Sequence, residues 1–276
     1  MTFRILIITS LAALISQLSL VGAENQTEPT NATEAAAKKA AAEAKIDAEY
    51  ADIVAKLPDD QRAWEEVLQT ELGGFYLPIH KKQKVNGQSN AWDFIRDDPA
   101  LPRVLLIGDS VSRGYTQAVR KEMAGEANVH RAPANCGPSA TGLKKLDIWL
   151  GNGKWDVIHF NFGIHDRKTP LPDYEKRLDE IVTRLKATGA TVIWASTTPI
   201  PTDWKEGPEM ARAIVDRNEA AARVMKQHDV VINDLFAAIS PHIVDLQNPA
   251  DVHFGSKGYS FLGGKVAEAI RKVIKE

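Results

Sequence analysis

From residue 103 onward the chain alternates short apolar runs with stretches of helical period, and this limits the architectures open to it more than any other feature. Residues 103–108, 128–132, 155–162, 190–196 and 229–233 read as five strands, bounded by Gly, Pro, Asn or Asp. Between and after them apolar residues recur every three to four positions. Tyr115, Val119 and Met123 follow the first run, and Phe261, Leu262, Val266, Ala269, Ile270 and Val273 share one face of a closing helix over 257–274. A strand that rejoins its sheet through a helix runs parallel to the strand before it. The expectation is an α/β domain: a five-stranded parallel sheet covered by helices on both faces. In such sheets chemistry collects at the carboxyl ends of the strands.

The residues before 103 follow other patterns. Arg4, an apolar stretch over 5–15 and the small residues Val21-Gly22-Ala23 read as an export signal over 1–23. An uncleaved anchor is the rival reading, weakened by Ser16, Gln17 and Ser19. Residues 24–45 read as a tether that passes from polar and flexible, with sequons at Asn25 and Asn31, into an Ala/Lys/Glu run of high helicity. Residues 46–102 read as a helical extension. Ile46, Tyr50, Ile53, Val54 and Leu57 line a first helix that Pro58 ends. Trp64, Val67, Leu68 and Leu72 line a second, which Gly73-Gly74 stops, and 75–102 is expected to be an irregular connecting wrap. The α/β domain then occupies 103–276.

Charge excludes some partners. Acidic and basic residues number 36 and 34 and are interleaved, so no basic face marks the chain for nucleic acid. Cys136 is the only cysteine, which rules out an internal disulfide, and it reads as a buried thiol. No tight ligand spacing such as H-E-x-x-H appears, so neither a metal nor a cofactor is expected.

The first strand ends in Gly108-Asp109-Ser110, which puts Ser110 where strand gives way to helix. A serine there has an exposed hydroxyl and a backbone N–H able to face a developing negative charge. The hydroxyl needs a base to take its proton. Of seven histidines His253 fits best: it lies in a loop before the last helix, with Asp251 two residues earlier to orient the imidazole. G-x-S-x-G and G-x-G-x-x-G are both missing around the first strand, which argues against an α/β-hydrolase elbow and a dinucleotide site. His159 and Asn161 share one face of the third strand and read as a satisfied polar pair in the core, with Asn161 alternatively supporting the neighbouring loop. Thr197-Thr198-Pro199-Ile200-Pro201 should line the rim, and Asp166 should hold its turn without acting in catalysis.

Gly108-Asp109-Ser110, Gly137 in Ala134-Asn135-Cys136-Gly137, Gly163-Ile164-His165-Asp166 and Asp251-Val252-His253 fall in the order of four blocks. In this the chain resembles the SGNH (GDSL-type) hydrolases from about residue 103 to its end. The resemblance implies a three-layer α/β/α fold of flavodoxin-like order and acylation of Ser110 by an ester. It also implies an oxyanion hole made by the N–H groups of Ser110 and Gly137 and a side chain of the third block. Two departures stand out. His165 takes the place of the usual asparagine, as in a planctomycete-type exported branch that the chain resembles. Ala250 takes the place of the usual aspartate, leaving Asp251 one residue nearer the histidine and Asp245 in reserve. The resemblance implies hydrolysis of a small ester, an acetyl group on an exported or environmental carbohydrate, by a periplasmic or secreted enzyme. Alternatives are a lipase, thioesterase or acyltransferase using the same site, or a catalytically impaired carbohydrate-binding or envelope protein.

Overall fold

The computed structural model describes residues 31–204 and 207–275. The expected export signal and the Asn25 sequon lie outside the described residues.

Five strands form one sheet: β1 (Arg103–Ile107), β2 (Asn128–Arg131), β3 (Val157–Phe160), β4 (Thr191–Ala195) and β5 (Val231–Asn233). Their order across the sheet is β2-β1-β3-β4-β5, and every neighbouring pair is parallel. Each strand lies within the run read from sequence, trimmed at its ends. β3 is shortened most: Trp155 stays outside the sheet, where the Arg103 guanidinium stacks on its ring at 4.3 Å.

Alternate side chains of a strand enter opposite faces, and a sheet covered on both sides needs both sets apolar. Leu105, Ile107, Ile158, Phe160, Val192 and Trp194 pack on one face against α5 (Ser139–Leu150), α6 (Leu171–Lys186) and α7 (Gly207–Gln227). Val104, Leu106, Val157, Ile193 and Ala195 pack on the other against α4 (Ser110–Glu122), α8 (Leu235–Ile239) and α10 (Ser256–Ile274). A four-residue helix, α9 (Ile243–Leu246), precedes the last loop. The result is a three-layer α/β/α fold.

Helices α4 and α10 touch closely. A Cβ on Gly263 would stand 2.5 Å from that of Ala118, and one on Gly114 would lie 2.1 Å from the Tyr259 ring. Only glycine permits either approach.

Before the sheet come α1 (Asn31–Ala55), α2 (Asp59–Glu71) and α3 (Gly73–Val85). The described chain divides into two units at residue 42. Residues 34–42 of the first are helical with exposed side chains. The second unit holds the rest of α1 and everything after it.

The third helix corrects the expectation of an irregular 75–102. Gly73 does interrupt α2 with a φ of 66°, but the chain starts a new helix at once and carries Pro78 inside it. Tertiary packing overrides the breaker residues: Tyr76 and Leu77 pack on the cluster of Leu68, Leu72 and fully buried Trp92.

A buried carboxylate ties these helices together. Glu65 is inaccessible; it accepts from Tyr50 Oη at 2.6 Å, from His80 Nε2 at 2.8 Å and from Lys84. The Asn90 amide donates to the other ring nitrogen of His80 at 3.2 Å. Burial raises the pKa of Glu65, but the hydrogen bonds from His80, Lys84 and Tyr50 outweigh it and hold the group at about 2. Cutting Glu65 to alanine leaves those partners unpaired in the interior, and should lower unfolding stability by about 3 kcal/mol. Urea titration of Glu65→Ala at neutral pH checks this. Because the folded pKa is depressed, the contribution is complete above the unfolded carboxylate pKa of about 4.3. It is lost as pH falls from there toward about 2, so the gap between wild type and variant should narrow in acid.

Candidate active site

The order β2-β1-β3 puts a topological switch point between β1 and β3, and ligands of such sheets bind outside the strand ends there. Ser110 follows β1 and the Gly163–Asp166 turn follows β3, so the topology brings the two together.

Asp109 is the N-cap of α4: it is extended (φ −86°, ψ −154°), and its carboxylate accepts from the Val111 N–H at 2.9 Å. Ser110 is therefore the first helical residue. Its N–H has no acceptor within the helix and lies at the positive end of the dipole. Gly108 makes the turn tight enough, since a Cβ there would stand 2.7 Å from that of Ser112.

His253 comes from the loop between α9 and α10, which is closed on itself. Gln247 bridges Phe254, the Asn248 N–H donates to His253 O at 3.0 Å, and the Asp251 N–H donates to Asn248 O at 3.2 Å. Ala250 holds the turn with a φ of 49°, unusual for a residue with a side chain. The turn brings Asp251 under the ring. Its Oδ1 accepts from His253 Nδ1 at 2.8 Å and from the His253 N–H at 3.2 Å. His253 Nε2 stands 2.9 Å from Ser110 Oγ. A carboxylate on Nδ1 keeps the proton there, so Nε2 presents its lone pair to the serine hydroxyl. Burial pushes the Asp251 pKa upward, but the hydrogen bonds from His253 outweigh it and hold the group below the ordinary carboxylate range.

The structure thus joins Asp251, His253 and Ser110 in one line of hydrogen bonds. Asp245, the reserve orienter, is exposed on α9 and makes no bond to His253 among the described residues. The offset at Ala250 is accommodated by the left-handed turn, which lets a carboxylate two residues away reach the ring.

Gly137 sits with a φ of 64° in the 132–138 loop after β2. The neighbouring Cys136 N–H donates to Gly108 O at 3.2 Å, which ties that loop to the serine turn. His165 stands exposed on the 164–166 turn, with no hydrogen bond to Ser110 or His253 among the described residues. Asp166 beside it is buried and accepts from Ser139 N at 2.7 Å and Ser139 Oγ at 2.8 Å, holding this turn to the start of α5. Cys136 is fully buried, and burial pushes its thiol up to about 12.

The polar pair at the end of β3 bonds to neighbouring segments rather than between its own members, and His159 Nδ1 has no partner among the described residues. Asn161 Nδ2 donates to Ala195 O at 2.7 Å and Thr197 Oγ1 at 3.0 Å, and the Asn233 amide reaches His159 Nε2 at 3.2 Å. Burial lowers the His159 pKa to about 4, so its ring is neutral near neutral pH. The 197–201 segment is joined to the histidine loop by Gln247 Nε2, which donates to Pro199 O at 2.9 Å.

Sequence reasoning missed Arg131. It ends β2, is 2% exposed, and donates from Nη1 to Ser112 Oγ at 2.6 Å and from Nη2 to the carbonyls of Gly108 and Asp109 at 2.9 and 3.0 Å. The signal available was a basic residue at the carboxyl end of a strand, where the chemistry of such sheets collects.

A serine–histidine–aspartate line at the switch point of a parallel three-layer sheet is the arrangement of a serine hydrolase. The sequence profile of the GDSL-like lipase/acylhydrolase family matches residues 106–261, over half the chain, and the chain belongs to that family. No curated protein matches it. Solved structures share the fold at low identity. A lipase/acylhydrolase from Enterococcus faecalis aligns at 20% identity with a TM-score of 0.56, covering 62% of this chain and 96% of that one. An acetylxylan esterase from Geobacillus stearothermophilus aligns at 16% with a TM-score of 0.52, covering 63% and 94%. The acetyl xylan esterase AlAXEase aligns at 14% with a TM-score of 0.55, covering 61% and 99%.

Proposed function

We propose that this hydrolase cleaves a small ester, an acetyl group on a carbohydrate, with Ser110 as nucleophile, His253 as base and Asp251 as the acid that orients it. The observation that carries the reading is the continuous line from Asp251 Oδ1 through the imidazole to Ser110 Oγ. Ser110 Oγ bonds to the ester carbonyl carbon as His253 Nε2 takes its proton. The tetrahedral oxyanion is held by the N–H groups of Ser110 and Gly137, with an N–H of His165 as third donor. The imidazolium then protonates the leaving alcohol as its C–O bond breaks. Water, deprotonated by the same nitrogen, releases the acid and regenerates the serine. The acetyl choice is supported by two fold relatives that are acetylxylan esterases.

The test is a panel of p-nitrophenyl acetate, butyrate and octanoate beside acetylated xylan, with phosphonate labelling mapped by mass spectrometry. Turnover highest on acetyl esters and label on Ser110 are expected. Octanoate as the best substrate would replace the acetyl reading with a lipase or thioesterase. No turnover and no label would remove the esterase reading altogether. Export by cleavage after Ala23 belongs to the same reading. N-terminal sequencing of the mature protein from the producing cell checks it, and an intact Met1 would overturn it.

His165 is tested separately. If it donates to the oxyanion, His165→Ala lowers kcat roughly a hundredfold with KM little changed, because the donor acts on the transition state. His165→Asn, which restores the usual family side chain, should keep more activity. Equal rates in His165→Ala and wild type would leave the hole to backbone donors.

A further inference from the structure

Arg131 sits where simple electrostatics disfavours it. Its guanidinium is buried, and among the described residues no carboxylate lies within ion-pair distance of it. Burying an unpaired cation is costly. It also lies against the first turn of α4, where the helix dipole is already positive. Burial pulls its pKa down, yet a guanidinium stays protonated in proteins. The nearby Asp109 carboxylate is already engaged as the α4 cap.

What the arginine touches explains the arrangement. Asp109 O, an acceptor of Nη2, belongs to the peptide group whose N–H is that of Ser110. A charged donor on a carbonyl fixes the plane of that peptide and draws electron density from it, which strengthens the N–H as a donor. Gly108 O accepts from the same Nη2 and also from the Cys136 N–H, one residue before Gly137. One guanidinium therefore braces the turn carrying the first oxyanion donor and, through Gly108, the loop carrying the second.

The geometry points to Arg131 as a positioning residue of the oxyanion site, setting the orientation of the Ser110 peptide and supplying positive potential behind it. This rests on the esterase reading above. A potential that is unfavourable in the free enzyme becomes favourable when negative charge develops on the substrate oxygen, as transition-state stabilisation requires.

Arg131→Met removes the charge and all three donations while keeping most of the stem. The measurements are kcat and KM for p-nitrophenyl acetate and the inhibition constant of a boronic acid, which forms an anionic tetrahedral adduct on a serine hydroxyl. We expect kcat to fall about a hundredfold with KM within about twofold, and boronate affinity to fall in step with kcat/KM. Two further variants decide the matter if Arg131→Met does not fold. Arg131→Lys keeps the charge but loses the fork and should lower kcat about tenfold; Ser112→Ala loosens one anchor and should lower it a fewfold. Folded variants that lose thermal stability but keep wild-type kcat and boronate affinity would overturn the proposal and leave the esterase reading intact. Wild-type protein with no turnover and no Ser110 label would instead remove the esterase reading, and this proposal with it.

Discussion

Ser110→Ala and His253→Ala should each lower ester turnover by roughly four orders of magnitude or more, because members of one catalytic unit fail together. Both variants should unfold at the wild-type urea midpoint. Ser110 is only partly buried, and its hydroxyl meets His253 Nε2 without belonging to either apolar layer. The double variant should be no slower than either single one, since the second loss removes nothing still in use. A folded single variant turning over p-nitrophenyl acetate at the wild-type rate would dismiss the assignment.

The second large effect belongs to Asp251, the proposed orienting acid. Asp251→Asn should cut kcat by about a hundredfold to ten-thousandfold, because an amide on Nδ1 no longer selects the tautomer that leaves Nε2 free. Asp245→Asn should change little, as that side chain points to solvent from α9. Exchange of the two effects would show that the loop closes differently in solution. The pH profile adds a check. Asp251 is held ionised below the ordinary carboxylate range by its bonds to His253, so its protonation should add no step near pH 4. The acid limb of kcat/KM should therefore follow a single proton, taken up by the base itself.

Much of this site was legible in the sequence because its residues are tied to local patterns. Ser110 lies at a strand-to-helix junction that periodicity marks, and His253 lies in a loop bounded by recognisable helices. The parallel sheet followed from the alternation of apolar runs with helical stretches, since strands joined through helices rejoin their sheet by crossovers. What stayed hidden depends on distant partners. Helix α3 carries Gly73, Gly74 and Pro78, all of which argue for a loop; only packing on Trp92 and the Glu65–His80 bond decide for a helix. The role of Arg131 depends on acceptors some twenty residues earlier in the chain. The reach of Asp251 depends on the backbone of Ala250, whose left-handed conformation no local pattern announces.

The contact of α4 with α10 bears on how this hydrolase can change. Ser110, the proposed nucleophile, stands at the start of one helix and His253, the proposed base, three residues before the start of the other, 143 positions away in sequence. Gly114 and Gly263 let the pair approach so closely that their relative placement has little freedom. The contact itself involves none of the turns at 132–138, 163–170 and 197–204 that follow β2, β3 and β4. Exposed side chains on those turns can be exchanged while the helix contact and the bonded 247–253 loop keep Ser110 against His253. A lineage built on this plan can take up a new alcohol or acyl group by rewriting its turns, whereas a bulkier residue at Gly114 or Gly263 would misalign the chemistry for every substrate at once.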